Sequence, residues 1–327
     1  MARILVAGAG ALGSVFGGFL RMSGHDITLL GRVPHLEAID KCGLRIDGIW
    51  GEHRASGFEV ASNTRLLRGY FDAVLICVKS YDTAAMAASI APFVAPDGLV
   101  VSLQNGLGNV EAIQEKIDPQ RILAARVIFG ATITAPGAVR VTVYAEPVLV
   151  GAWESKAPTH LCDAARAWAG EFNRSGIVAE YCAEIRAALW GKVFYNAALN
   201  PLGALLGVHY GALGENADSR VIMDTVINEA FAVACAEGVN LPWASADAYR
   251  ALFYEKLVPA TFHHRSSMLQ DLERGRRTEV DAINGQIWSR GSKHGIPTPA
   301  NELLSRLMQA QPIGPKRTGS TERKGRE

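Results

Sequence analysis

Lys192, Asn196 and Asn200 recur every fourth residue in one apolar stretch, Leu189-Trp190-Gly191-Lys192-Val193-Phe194-Tyr195-Asn196-Ala197-Ala198-Leu199-Asn200-Pro201. On a helix, side chains four apart stack on one face, so this spacing predicts a lysine and two amides along a single polar stripe. A lysine there has donors and a transferable proton to offer wherever negative charge builds on an oxygen. A solvated face is more often filled with Glu, Lys and Arg than with asparagine, a poor helix former. The alternative is a wet stripe whose helix ends near Asn200-Pro201.

A second constellation opens the chain. Gly8-Ala9-Gly10-Ala11-Leu12-Gly13 follows an apolar run directly and leads into a helical one. In a strand-turn-helix context this spacing cradles a pyrophosphate: the first glycine makes the turn, the second lets backbone approach, and the third lets helix pack on strand. A glycine turn without a ligand is the plainer alternative. About 20 residues on, where NAD-specific folds carry an acidic residue, the sequence reads Leu30-Gly31-Arg32. An arginine there suits a phosphate dianion and points to NADP(H). Lys79, in Val78-Lys79-Ser80, and Asn105, in Gln104-Asn105-Gly106, stand at expected carboxyl ends of strands, where open α/β sheets bind ligands. Farther on, Ser267 and Asp271 share a helical face. Glu279 lies within one turn of Thr278 and Asp281, which leaves a substrate contact, a local cap and a surface salt bridge all open.

The elements that would position these groups differ between the two halves. Short apolar runs at residues 4–7, 27–30, 73–78 and 99–103 alternate with helical stretches, as a parallel sheet covered on both faces requires. Residues 45–50 and 57–60 read as an inserted hairpin. Residues 139–143 and 148–150, either side of Glu146-Pro147, read as an antiparallel pair closing the domain. From about Cys182 the period becomes helical, through 185–206, 220–236 and 279–294, punctuated by Pro242, Pro259, Pro297 and Pro299. The expected architecture is α/β: an N-terminal Rossmann dinucleotide-binding domain (residues 1–182), an all-helical C-terminal domain (183–313) and a polar, charged, disordered tail (314–327).

Composition narrows the function classes. Apolar residues make up 49% and charged residues 20%, and the net charge of +1 provides no global field for nucleic acid or an anionic membrane. The five cysteines, Cys42, Cys77, Cys162, Cys182 and Cys235, are widely spaced and form no metal-ligand cluster, so reduced buried thiols in a cytoplasmic protein are expected, with no metal. The N-terminus reads as a first strand rather than a signal peptide, and no run approaches the ~18 apolar residues of a membrane span.

Taken together, GAGALG, VKSYDT, LQNGLGN, LWGKVFYNAALNPL, SSMLQDLERGRRTEVDAINGQI and HGIPTP, in order from Arg3 to about Met308, resemble the ketopantoate reductase family. The resemblance implies a Rossmann domain joined to a helical one, and NADPH-dependent reduction of 2-dehydropantoate to pantoate, a step of pantothenate synthesis. Residue by residue it implies that Lys192 is the general acid and Glu279 helps hold the substrate hydroxyl, while Asn196, Asn200 and Ser267 bind substrate. Gly8, Gly10, Ala11, Leu12, Gly13, Arg32, Lys79 and Asn105 match positions around the cofactor and cleft. Tyr210 departs from the pattern, standing where well-known members carry another substrate-contacting asparagine. Another small 2-keto acid is therefore an alternative substrate, and a non-catalytic NADP(H)-binding regulatory protein an alternative of another class. The expected partners are a small 2-keto acid and no macromolecule beyond, at most, a second copy of the chain.

Overall fold

The computed structural model describes residues 1–154 and 156–314. They form two compact units: one holds Met1–Val193 with Val239–Leu241, the other Phe194–Gly238 with Pro242 onward. The expected tail lies, except for Gly314, outside the described residues.

In the first unit the apolar runs become strands because only a sheet covered on both faces buries consecutive apolar residues. β1 (Arg3–Ala7), α1 (Ala11–Met22), β2 (Asp26–Leu30) and α2 (Val33–Cys42) make the first β-α-β turns. β3 (Leu44–Gly48), β4 (His53–Ala55) and β5 (Glu59–Ala61) follow, then β6 (Phe71–Ile76), α3 (Thr83–Ile90), β7 (Val94–Ser102), α4 (Asn109–Gln114) and β8 (Ile122–Arg126). After β9 (Phe129–Ala135), β10 (Ala138–Tyr144) and β11 (Val148–Ala152) come α5 (Thr159–Ser175), β12 (Ala179–Tyr181) and α6 (Ile185–Leu206). The main sheet has the order β12-β11-β8-β7-β6-β1-β2-β5, parallel except where β11 meets β8. Its order therefore reverses between β1 and β6, and Ile4, Val6, Ala73, Leu75 and Val101 fill its core.

A second sheet, β4-β3-β10-β9, corrects two expectations. The hairpin partner of residues 45–50 is β4, not residues 57–60. Gly48 and Gly51 take φ of +109° and +90°, so the chain turns back early, and the freed segment joins the main sheet as β5, parallel to β2. Residues 139–143 and 148–150 are likewise not partners: β10 pairs with β9 across Gly137, and β11 pairs with β8. Val148 and Val150 are both fully buried, as a strand inside the two-sided sheet demands.

The second unit is helical. It continues α6 and adds α7 (Tyr210–Glu215), α8 (Ala217–Ala236) and α9 (Ala246–Leu252), which runs through a π turn (Phe253–Leu257) into α10 (Val258–Ala260). α11 (Ser267–Glu273), α12 (Asn284–Lys293) and α13 (Pro299–Gln309) complete it. The expected helix over 279–294 begins only at Asn284, behind a 3-10 turn at Val280–Ala282. Val280, Ile283 and Ile287 are buried on both sides of the break, so apolar periodicity alone could not locate it. Cys42 and Cys235 are exposed rather than buried, whereas burial pushes the Cys77 thiol up. Among the described residues no helix is long and apolar enough to cross a membrane, and no cluster could hold a metal.

Candidate active site

β1 delivers the chain into Gly8 at the point where the strand order reverses. Gly8 holds φ +113°, and a Cβ there would stand 2.6 Å from the Val78 amide nitrogen; a Cβ on Gly13 would stand 2.2 Å from the Gly8 carbonyl. These two glycines are fixed by backbone approach. A Cβ on Gly10, in contrast, meets nothing within 4 Å, so the space above the loop is open. α1 starts there without a side-chain cap, and the first-turn N–H groups of Ala11, Leu12 and Gly13 have no acceptor inside the helix. Open space over uncapped donors at the positive end of a 12-residue helix fits a pyrophosphate.

The end of β2 lies alongside. A Cβ on Gly31 would come 2.9 Å from the Ala9 Cβ, which explains a glycine before Arg32. Arg32 itself is exposed at the start of α2, where its carbonyl accepts from the His35 and Leu36 amides and its side chain makes no cap hydrogen bond. One turn on, His35 Nδ1 accepts from the Gly137 amide at 3.1 Å, which leaves its proton on Nε2 for Ser14 at 2.9 Å. Burial lowers the His35 pKa, keeping this neutral form. The Arg32 segment is thereby pinned to α1.

β6 and β7 are adjacent and parallel, and their carboxyl ends carry the loops of Lys79 and Asn105. Polar side chains buried behind the loops tie them together. Gln104 Nε2 donates to the Val78 carbonyl at 2.9 Å and to Thr83 Oγ1 at 2.6 Å, and Asn109 Nδ2 donates to the Asn105 carbonyl at 2.8 Å. The Thr83 hydroxyl lies 2.8 Å from the Ser80 carbonyl and 2.9 Å from Asn109 Oδ1. A cavity of about 10 Å³, room for one water, lies among Ser102, Gln104, Asn109 and Leu189. Sequence reasoning missed Thr83, Gln104 and Asn109, although all three lie inside the two motifs it quoted. The signal was uncharged polar residues at positions too apolar for a solvated loop.

Lys192, half-buried on α6, donates from Nζ to Asn105 Oδ1 and to the Val127 carbonyl. The structure thus brings the lysine and the first of the loop amides into direct contact, which fixes the ammonium in position at the carboxyl end of the parallel strands.

Within the second unit α6 runs on through Pro201 to Leu206, so the helix does not end at Asn200. Asn196 and Asn200 are 9% and 4% exposed, which rules out a wet stripe. Asn200 is gripped twice: its carbonyl accepts from Ser266 Oγ at 3.2 Å, and its Oδ1 accepts from the Tyr210 hydroxyl. Burial, and then the neighbouring Tyr195, push the Tyr210 phenol well above its usual range, so it remains a donor. Ser266 is a further residue missed; it is the buried cap of α11, while Ser267 is exposed. Glu279, 7% exposed, makes no cap hydrogen bond, and the surface pair in that stretch belongs to Arg277 and Asp281 at 2.7 Å. Asp271 pairs with Arg276, just past the end of α11, at 2.8 Å.

Comparison with known proteins matches residues 4–155 to the family model "Ketopantoate reductase PanE/ApbA" and residues 184–311 to its C-terminal counterpart. A 2-dehydropantoate 2-reductase from Aquifex aeolicus is 37% identical over 315 residues, covering 95% of this chain and 97% of that protein. A PanE/ApbA family ketopantoate reductase from Ralstonia eutropha is similar in structure, with a TM-score of 0.82, 34% identity and coverage of 94% and 97%. A D-mandelate dehydrogenase solved with NADH and anilino(oxo)acetate has a TM-score of 0.85, 27% identity and coverage of 94% and 98%.

Proposed function

Because the chain belongs to the ketopantoate reductase PanE/ApbA family, we propose that it reduces 2-dehydropantoate to pantoate with NADPH, a step of pantothenate biosynthesis. Residues 1–182 serve as the NADP(H)-binding domain and residues 183–313 as the substrate and catalytic domain. The observation that carries the reading is the Lys192 ammonium, held by Asn105 Oδ1 and the Val127 carbonyl at the carboxyl end of the parallel strands.

When bound, the reduced nicotinamide supplies the hydride. Gly8, Gly10, Gly13 and the N–H groups of Ala11 and Leu12 would hold the pyrophosphate and Arg32 the ribose phosphate, with Lys79 and Asn105 also contributing to cofactor binding. Charge then grows on the carbonyl oxygen of the keto acid. Lys192 stabilises the nascent alkoxide and gives it a proton, while the Asn105 amide keeps the ammonium aimed. Asn196, Asn200 and Ser267 grip the substrate without adding charge, and Glu279 orients its hydroxyl.

A second reading, a different small 2-keto acid as substrate, is favoured by Tyr210, which occupies the Asn200 amide oxygen where family members offer another asparagine. The likeness to D-mandelate dehydrogenase is consistent with it. Oxidation of NADPH and NADH assayed against a panel of 2-keto acids tests both readings. Fastest turnover of 2-dehydropantoate with NADPH is expected, and another best substrate selects the second. Cofactor binding without any turnover would overturn both. The chain is expected to be cytoplasmic and to work as a monomer or homodimer.

A further inference from the structure

Pro201 stands inside α6, and a proline has no N–H to give the carbonyl four residues back, that of Ala197. The carbonyl is not left bare. Asn284, fully buried at the start of α12, donates to it from Nδ2 at 3.1 Å. The same amide nitrogen donates to Asn301 Oδ1 at 3.0 Å, and Asn301 Nδ2 donates to Glu229 Oε2 at 2.7 Å and to the Val226 carbonyl at 3.2 Å. Glu229 is itself fixed by the Ala300 and Asn301 amides at the start of α13. Asn284 Oδ1 has no partner among the described residues, so its donors alone orient the amide.

The orphaned carbonyl falls between Asn196 and Asn200. Without its donor, a buried carbonyl must be relieved by water or by bending of that turn. Either would re-aim both side chains. We propose that Asn284 is a positioning residue for the two α6 amides: it supplies the hydrogen bond that Pro201 removes and so sets the direction in which Asn196 and Asn200 are presented. This rests on the reading that those amides bind the keto acid.

Four proteins test it: wild type, Asn284→Ala, Pro201→Ala and the double variant. Each is measured for KM and kcat on the best 2-keto acid, NADPH affinity and melting temperature. Asn284→Ala should raise KM about tenfold or more while NADPH affinity stays within about twofold. In the double variant the backbone N–H restored at position 201 reaches the same carbonyl, so KM should return to within about threefold of Pro201→Ala alone. An unchanged KM in Asn284→Ala, or a double variant no better than Asn284→Ala, would overturn the proposal. Should Asn284→Ala fail to fold, the double variant decides: folded with near-normal KM supports the role, and unfolded refutes it. Wild-type inactivity on every keto acid is the separate failure of the functional reading, seen before any variant is made.

Discussion

The loops of the first unit proposed to hold the cofactor and the amide face of the second hold their polar groups in different ways. Gly8, Lys79 and Asn105 lie in loops just beyond β1, β6 and β7, where the Gly8 loop exposes backbone donors by geometry and Gln104, Thr83 and Asn109 tie the other two loops to one another. Asn196 and Asn200 sit in mid-helix, buried, with Ser266 and Asn284 brought from distant sequence, and Tyr210 from across the following loop, to satisfy their turn. A strand-end loop can therefore exchange functional groups without disturbing the fold, whereas a buried helix face cannot. Substitutions in the first region should alter function alone, and in the second both function and stability.

The largest effect tests the site itself. Lys192→Ala should lose ~100- to 10,000-fold in turnover while NADPH affinity persists, and Lys192→Arg should restore little because guanidinium gives up a proton poorly. Near-normal turnover in a keto-acid assay would transfer the acid role to Lys79. Next, Arg32→Ala should weaken NADPH by on the order of ten- to a hundredfold, the loss of ~1.5–3 kcal/mol from a charge-assisted contact, with NADH binding and melting temperature unchanged. Equal losses for the two cofactors in a titration would remove Arg32 from the phosphate site. Glu279→Ala sharpens the contrast: a raised KM at constant NADPH affinity should come together with a lower melting temperature, and a stability loss with unaltered kinetics would make Glu279 purely structural.

Thr83→Val is aimed at breaking the comparison, since Thr83 belongs to the first unit yet is buried and hydrogen-bonded like the second. It should cost about 1–3 kcal/mol in urea unfolding. The smallest effect lies on the small sheet, where the Arg140 and Arg45 guanidiniums hold the Asp47 carboxyl at about 2, below its ordinary 3.8. A depressed carboxyl stabilises the fold above its unfolded pKa and loses that contribution as pH falls through the folded one. The advantage of wild type over Asp47→Asn should thus be full above pH ~4 and shrink toward pH ~2; a pH-independent difference in melting temperature would discard the ion-pair account.

What was legible in sequence follows the same division. GAGALG, the four apolar strands and the 185–206 helix could be read because each is governed by neighbours along the chain: a turn, an alternation, a four-residue spacing. The return of β3 onto β4 was misread since two glycines with positive φ, not the apolar pattern, decide where that chain turns. Pro201 reads locally as a helix end, and the carbonyl it leaves unpaired, that of Ala197, is satisfied by the Asn284 amide, 87 residues from Ala197. The same holds for Tyr210, whose hydroxyl meets Asn200 across a loop, and for Thr83 and Gln104, whose partnership spans two strands.

The small sheet has a bearing on how the chain is made. β3 pairs with β4 almost at once, but its other edge is completed by β10, and the ion pair that joins them links residues 93 positions apart. A nascent chain emerging from the ribosome must therefore carry β3 with one edge bare while β5 to β9 are synthesised. Long-range pairing of this kind is slow and invites edge-to-edge association. Arg45 and Asp47, alternate residues on that waiting strand, put charge along it during the interval, so the side chains that later stabilise the sheet also guard it before it closes.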